Sequence, residues 1–210
     1  MKISSHLYCK IKSSGCQLEH CPYDGQFVAR ITYTLAMLDC PFVDAINLVL
    51  SQIYDMQKCF NALPSDDKSG ILLMTSLENR KLEGMVYFGA HIENKKNQFY
   101  PTPTGPGSIL EVKLLAVDPQ AKGKGLGTKL LACVVDVARI NNIHSVILNS
   151  AGESKSFYER NNLMMMGDSD FYYPGRTLFV DRPYSRLLEL IGVGGDFIDV
   201  PVFGSGSAYI

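Results

Sequence analysis

Between Leu114 and Leu131 a strand, a glycine-rich turn and a helix follow one another without a spacer: Leu114-Leu115-Ala116-Val117-Asp118-Pro119-Gln120-Ala121-Lys122-Gly123-Lys124-Gly125-Leu126-Gly127-Thr128-Lys129-Leu130-Leu131. The strand ends at Val117 and the helix opens near Leu126, so several backbone N–H groups and a helix N-terminus converge on one spot. Glycines at 123, 125 and 127 let the backbone approach a bulky phosphate with no Cβ in the way. The stretch is an anion site, and it requires a strand feeding directly into a helix.

The residues on either side extend that α/β pattern. Ile3 to Ile11 is expected to be a strand and Phe27 to Leu38 a helix. From Asp44 to Leu63 the residues Ile46, Val49, Leu50, Ile53, Met56, Phe60 and Leu63 recur at spacings of three and four, a helix stripe that Pro64 closes. Gly70 to Ser76 and Lys81 to Ile92 predict an antiparallel hairpin around Leu77-Glu78-Asn79-Arg80. The Pro/Gly run from Pro101 to Gly107 is a loop, and Ile109 to Val117 is the next strand. Leu126, Leu130, Val134, Val137 and Ala138 mark a helix to about Ile140. Ser145 to Leu148 predicts a short strand, Glu153 to Arg160 a short helix, and Met164 to Tyr173 and Thr177 to Val180 two further strands. The order implies an α/β mixture around one sheet.

Composition limits the function classes. The 210 residues suit one domain with an appendage, at roughly 100–200 residues per domain, and 46% hydrophobic content supports a full core. Lys+Arg total 20 and Asp+Glu 21, a formal net charge of −1, so no bulk field draws nucleic acid or an anionic membrane. No apolar run approaches the roughly 20 residues that span a bilayer, and nothing near Met1 has the apolar core of a signal peptide. The expectation is a soluble, cytoplasmic protein, although export without a signal leaves no trace in sequence.

Spacing separates the phosphate sites that share this turn chemistry. A GxGxxG dinucleotide fingerprint starting at Gly123 would need glycine where Thr128 stands; starting at Gly125, it would need Gly or Ala where Leu130 stands. A P-loop needs Gly-Lys-Ser/Thr at its end, whereas the order here is Gly127-Thr128-Lys129. The run Lys122-Gly123-Lys124-Gly125-Leu126-Gly127 instead resembles the coenzyme A pyrophosphate loop of the GNAT superfamily of N-acetyltransferases, Arg/Gln-x-x-Gly-x-Gly/Ala after a strand. Lys122 departs from Arg or Gln but keeps a positive charge. Downstream, Ser156-Phe157-Tyr158-Glu159-Arg160-Asn161-Asn162-Leu163 resembles the family's Phe-Tyr-x-Lys/Arg-x-Gly-Phe signature, with Asn162 and Leu163 in place of Gly and Phe.

The resemblance spans about Ile3 to Val180. It implies the acyl-CoA N-acyltransferase fold: a mixed central sheet splayed between its fourth and fifth strands, with helices on both faces. It divides the chain into an acetyltransferase domain at 1–182 and a C-terminal extension at 183–210. The implied cosubstrate is acetyl-CoA, held between Ile109–Val117 and Ser145–Leu148. Its pyrophosphate would lie on the backbone of Lys122, Gly123, Lys124, Gly125, Leu126, Gly127 and Thr128. The Val117 amide, with Leu115 and Ala116 beside it as coenzyme contacts, would take the thioester carbonyl and then the oxyanion. Asn149 would touch the pantetheine arm. Tyr158 resembles the general acid that protonates the departing thiolate, and a core aromatic is the plain alternative. Glu111 is the candidate general base, in a stretch shared with some histone-type members; a structural ion pair with Lys113 is its alternative. Strict alternation would put Glu111, Lys113, Leu115 and Val117 on one face.

These parts imply direct transfer to an amine in a ternary complex; the alternative is a catalytically degenerate acyl-CoA-binding sensor or interaction module. The acceptor, small molecule or protein, is not legible. The segment Lys95–Gly107 and the tail Arg182–Ile210, with Leu187, Leu188, Leu190 and Ile191, are available to wall its site or to form a homodimer surface. Cys9, Cys16, Cys21, Cys40, Cys59 and Cys133 read as free thiols. Cys16-Gln17-Leu18-Glu19-His20-Cys21 has the residue types of a zinc site, but no second Cys or His pair completes it, so no metal is expected.

Overall fold

The structure is a computed structural model that describes residues 1–23, 27–42, 44, 47, 69–90, 109–143, 145–148, 150, 154–163, 175–177, 186–192 and 194–203. The strands are β1 (Lys2–Ser4), β2 (Cys16–Pro22), β3 (Gly70–Ser76), β4 (Leu82–Ala90), β5 (Ile109–Val117), β6 (Ser145–Leu148), β7 (Gly175–Thr177) and β8 (Phe197–Asp199). The helices are α1 (Ser5–Lys12), α2 (Phe27–Met37), α3 (Leu126–Ile140), α4 (Lys155–Arg160) and α5 (Arg186–Ile191). Most of the helix expected at 44–63, the loop at 95–107, Asn149 and the strand expected at 164–173 lie outside the described residues.

Six strands form one mixed sheet in the order β2-β3-β4-β5-β6-β7, and β1 pairs with β8 in a separate two-stranded sheet. All neighbours in the large sheet are antiparallel except β5 and β6, its fourth and fifth strands. That parallel pairing runs only from Ile109↔Ser145 to Val112↔Leu148, whereas β5 stays paired with β4 up to Val117↔Gly84. Past Val112 no described residue pairs with β5 along this edge, so among the described residues the sheet opens there.

Two bulges re-aim side chains beside this opening. On β4 the register jumps from Met74↔Gly84 to Thr75↔Leu82, leaving Glu83 as the extra residue. On β5 it jumps from Tyr87↔Leu114 to Phe88↔Val112, leaving Lys113 over. The second bulge overturns the strict alternation expected for β5. Leu110, Val112, Leu115 and Val117 pack toward one core layer, while Leu114 and Ala116 pack toward the other.

The first layer is built around α3, on which every residue from Leu130 to Ala138 is buried. A helix apolar almost all round needs cover on both sides. The sheet covers one side. The other is covered by Ile3, Leu7 and Ile11 from the N-terminus and Leu187, Ile191 and Val200 from the C-terminus. On the opposite face of the sheet, Ile31 and Leu38 pack with Ile71, Leu73, Met85 and Tyr87.

The expected strand at Ile3–Ile11 is mostly helix, and its spacing explains why. Ile3, Leu7 and Ile11 recur at four, and Ser4 caps α1 by accepting from the Leu7 amide at 3.4 Å. The stretch Cys16–Pro22, which has the residue types of a zinc site, is instead strand β2, paired antiparallel with β3. Among the described residues no helix is long and apolar enough to cross a membrane.

Candidate active site

β5 runs into Asp118, which caps a single 3-10 turn (Pro119–Ala121) by accepting from the Gln120 amide at 2.9 Å. Lys81 donates to the same carboxylate at 2.8 Å, and this hydrogen bond holds the Asp118 carboxyl below its usual range. The chain then turns through Gly123 (φ 92°) and Gly125 (φ 68°), conformations that a side chain would strain. Gly125 is the residue that precedes α3 and brings no side chain to cap it. The amides of Leu126, Gly127 and Thr128 thus open the helix with no acceptor among the described residues. At a helix N-terminus such donors favour an anion.

The extra residue of β4 fixes one side of the turn. Glu83 is buried; its Oε1 accepts from Lys124 Nζ at 2.7 Å and its Oε2 from Cys16 Sγ at 3.1 Å. The hydrogen bond raises the Lys124 pKa, while burial and then Glu83 push the Cys16 thiol up to about 11. Lys129 Nζ donates to the Lys124 carbonyl oxygen at 2.6 Å. Two of the three lysines beside the turn are therefore already anchored, and Lys122 projects from the surface.

The opened edge of β5 leads straight to these amides. The Asp118 N–H donates to the Glu83 carbonyl at 2.8 Å, on the β4 side. Strand amides alternate in direction, so the N–H of Val117 faces the other way, into the opening. A Cβ placed on Gly127 would stand 3.5 Å from Val117 Cγ2 and 3.2 Å from Phe157 Cζ. Gly127 is therefore the contact point between β5, α3 and α4. Phe157 meets Tyr158 edge to face at 5.0 Å, and burial raises the Tyr158 pKa above its ordinary value. Tyr158 sits one ring away from the Val117–Gly127 contact.

The two departures in the second motif keep its geometry. Asn162 adopts φ 61°, the left-handed conformation for which glycine is the default and asparagine a tolerated substitute. Leu163 is buried in the α3 layer, where it fills the place of an aromatic.

Glu111 stands apart from this group. It is buried, pairs with Lys113 Nζ, and lies opposite Ile147 just before the opening. Its negative charge adds to the burial that raises the Tyr87 pKa, so it belongs to the α2 side of the sheet rather than the side of Val117. Cys16 packs into one layer and Cys21 into the other, so β2 does not bring these thiols together. Among the described residues no group of three His, Cys, Asp or Glu side chains could hold a metal ion. Glu83 was missed from sequence; the only signal was a carboxylate interrupting an apolar strand.

A mixed sheet splayed between its fourth and fifth strands, with a glycine turn and helix N-terminus at the mouth of the opening, is the GNAT fold. Residues 72–162 match the sequence model of the acetyltransferase (GNAT) domain. No curated protein matches the sequence significantly. Among solved structures, that of the KacTA–DNA complex is similar at 19% identity and a TM-score of 0.50, covering 78% of this chain and 93% of that one. The structure of AtaTR bound with acetyl-CoA is similar at 15% identity and a TM-score of 0.49, covering 79% and 94%. A bacterial toxin is similar at 15% and 0.48, covering 77% and 89%.

Proposed function

We propose that the protein transfers an acetyl group from acetyl-CoA to an amine by direct attack in a ternary complex. The observation that carries this reading is the opened edge of β5, whose Val117 amide points into the gap where the strand runs into the glycine turn. The amides from Lys122 to Thr128 hold the coenzyme pyrophosphate, and Leu115 and Ala116 flank its acyl arm. The amine nitrogen attacks the thioester carbon, and the Val117 N–H stabilises the resulting oxyanion. Collapse of that intermediate breaks the C–S bond; Tyr158 gives its proton to the thiolate, and Glu111 takes the proton lost by the amine, directly or through water. Glu111 faces the α2 side, so the acceptor reaches the carbonyl from there. Asn149, the expected contact of the pantetheine arm, lies outside the described residues.

A thermal-shift titration tests the coenzyme. Ligand at about 100 times its Kd adds about 2.7 kcal/mol, which raises the unfolding midpoint of a chain this size by roughly 5–10 °C. No shift with millimolar acetyl-CoA would remove the reading. Stabilisation by acetyl-CoA without a mass increase on any member of an amine and peptide panel would favour a non-catalytic coenzyme-binding module.

A further inference from the structure

Beside the glycine turn lies a cleft of about 310 Å³ that the family-matching segment forms only in part. One wall is the turn and the first turn of α3, including Lys124 and Lys129. The other is made by Lys10 of α1 and by Arg186 and Glu189 of α5, all outside residues 72–162. Lys124 is neutralised by Glu83. Among the described residues Lys10, Lys129 and Arg186 have no ion pair, and Glu189 is the single carboxylate lining the cleft. Burial lowers the Lys129 pKa; Cys16 works against this, and the like charge of Arg186 works with it, so the two cations are near enough to repel. An anion lodged between them would reverse that repulsion.

We propose that Lys10, Lys129 and Arg186 form a second anion subsite that takes the 3′-phosphate monoester of the coenzyme. The ends of the chain then set a preference for coenzyme A over its 3′-dephospho form. The inference rests on the acetyl-CoA reading, because it assigns the turn amides to the pyrophosphate and leaves the monoester as the remaining anionic group of the same ligand. A monoester carries close to two charges near pH 7, against the three cations outside an ion pair and the one carboxylate among the described residues of the cleft. Lys10 and Arg186 are exposed, so their replacement alters charge without disturbing the core.

Calorimetric titration of the full chain with coenzyme A and with 3′-dephospho-coenzyme A tests this directly. Coenzyme A should bind about tenfold more tightly, with the ratio falling as salt is raised. Arg186→Gln and Lys10→Gln should each lower the ratio several-fold by weakening coenzyme A while leaving the dephospho form within about twofold. Arg186→Lys should retain most of the ratio, and Glu189→Gln should increase it. Equal affinity of the wild-type chain for the two ligands would overturn the subsite and leave the coenzyme reading standing. Variants that weaken both ligands equally would do the same. Binding of neither ligand would overturn both.

Discussion

Tyr158 holds its proton more tightly than a free phenol because burial disfavours the phenolate. As a general acid it works only while protonated, so its own ionisation should not reduce the rate until above about pH 10. Tyr158→Phe leaves the ring against Phe157 and removes the hydroxyl with its acidic proton. We expect kcat to fall by about 100-fold with little change in coenzyme affinity, measured by steady-state kinetics beside a binding titration. Retention of full turnover would end the assignment. Glu111→Gln should lower kcat/KM by about tenfold or more and flatten its acid limb, since the amine must lose a proton before it attacks. An unchanged pH profile would leave Glu111 as no more than the ion-pair partner of Lys113.

At the scale of elements, the turn between β5 and α3 depends on conformation more than on side chains. Gly125 precedes the helix at φ 68°, where an L-residue costs about 1–2 kcal/mol. The space around it is open, with Lys129 Nζ at 3.8 Å from an added Cβ, so strain rather than collision is the penalty. Gly125→Ala should lower the unfolding midpoint by about 2–8 °C and weaken coenzyme binding, read by thermal shift with and without ligand. A variant as stable and as tight as the parent would show that the turn tolerates another shape. The two bulges matter at the same scale. One extra residue each sends Glu83 to the turn and turns Leu115 and Val117 away from the face of Glu111, which pattern reading cannot foresee without knowing the partner strand.

For the whole molecule, the tail is sewn to the beginning of the chain. β8 pairs with β1 in register Lys2↔Asp199 to Ser4↔Phe197. Ser4 Oγ donates to the Ile191 carbonyl at 2.8 Å, and the Ser4 N–H donates to Asp136 Oδ2 at 2.5 Å on α3. Val200 N–H donates to the Met1 carbonyl, and His20 N–H to that of Pro201. Leu187 and Ile191 are fully buried against α3, each contributing about 1.5–3 kcal/mol. Adding Val200 and Phe203 makes the sum comparable with the roughly 5–15 kcal/mol that keeps a domain folded. A chain ending at residue 185 should therefore lose its cooperative thermal transition or melt more than about 10 °C lower, by circular dichroism. A midpoint close to that of the full chain would show that the tail is dispensable.

The glycine turn, the hairpin of β3 and β4, the strand–helix order around α3 and the candidate Tyr158 were legible because each is a local pattern: turn residues, period two, period 3.6, and a short motif. The unbroken apolar run Leu130 to Val135 already carried a further message, since a helix apolar all round needs a second cover. It could not say which segment supplies that cover. Tertiary structure decided that α1, α5 and β8 do so, bringing Lys10 and Arg186 to the glycine turn from opposite ends of the chain. It also decided that the sheet opens at Val112 and that Glu111 and Val117 face different sides. These outcomes depend on pairing register and packing between residues far apart in sequence, and no local preference encodes them.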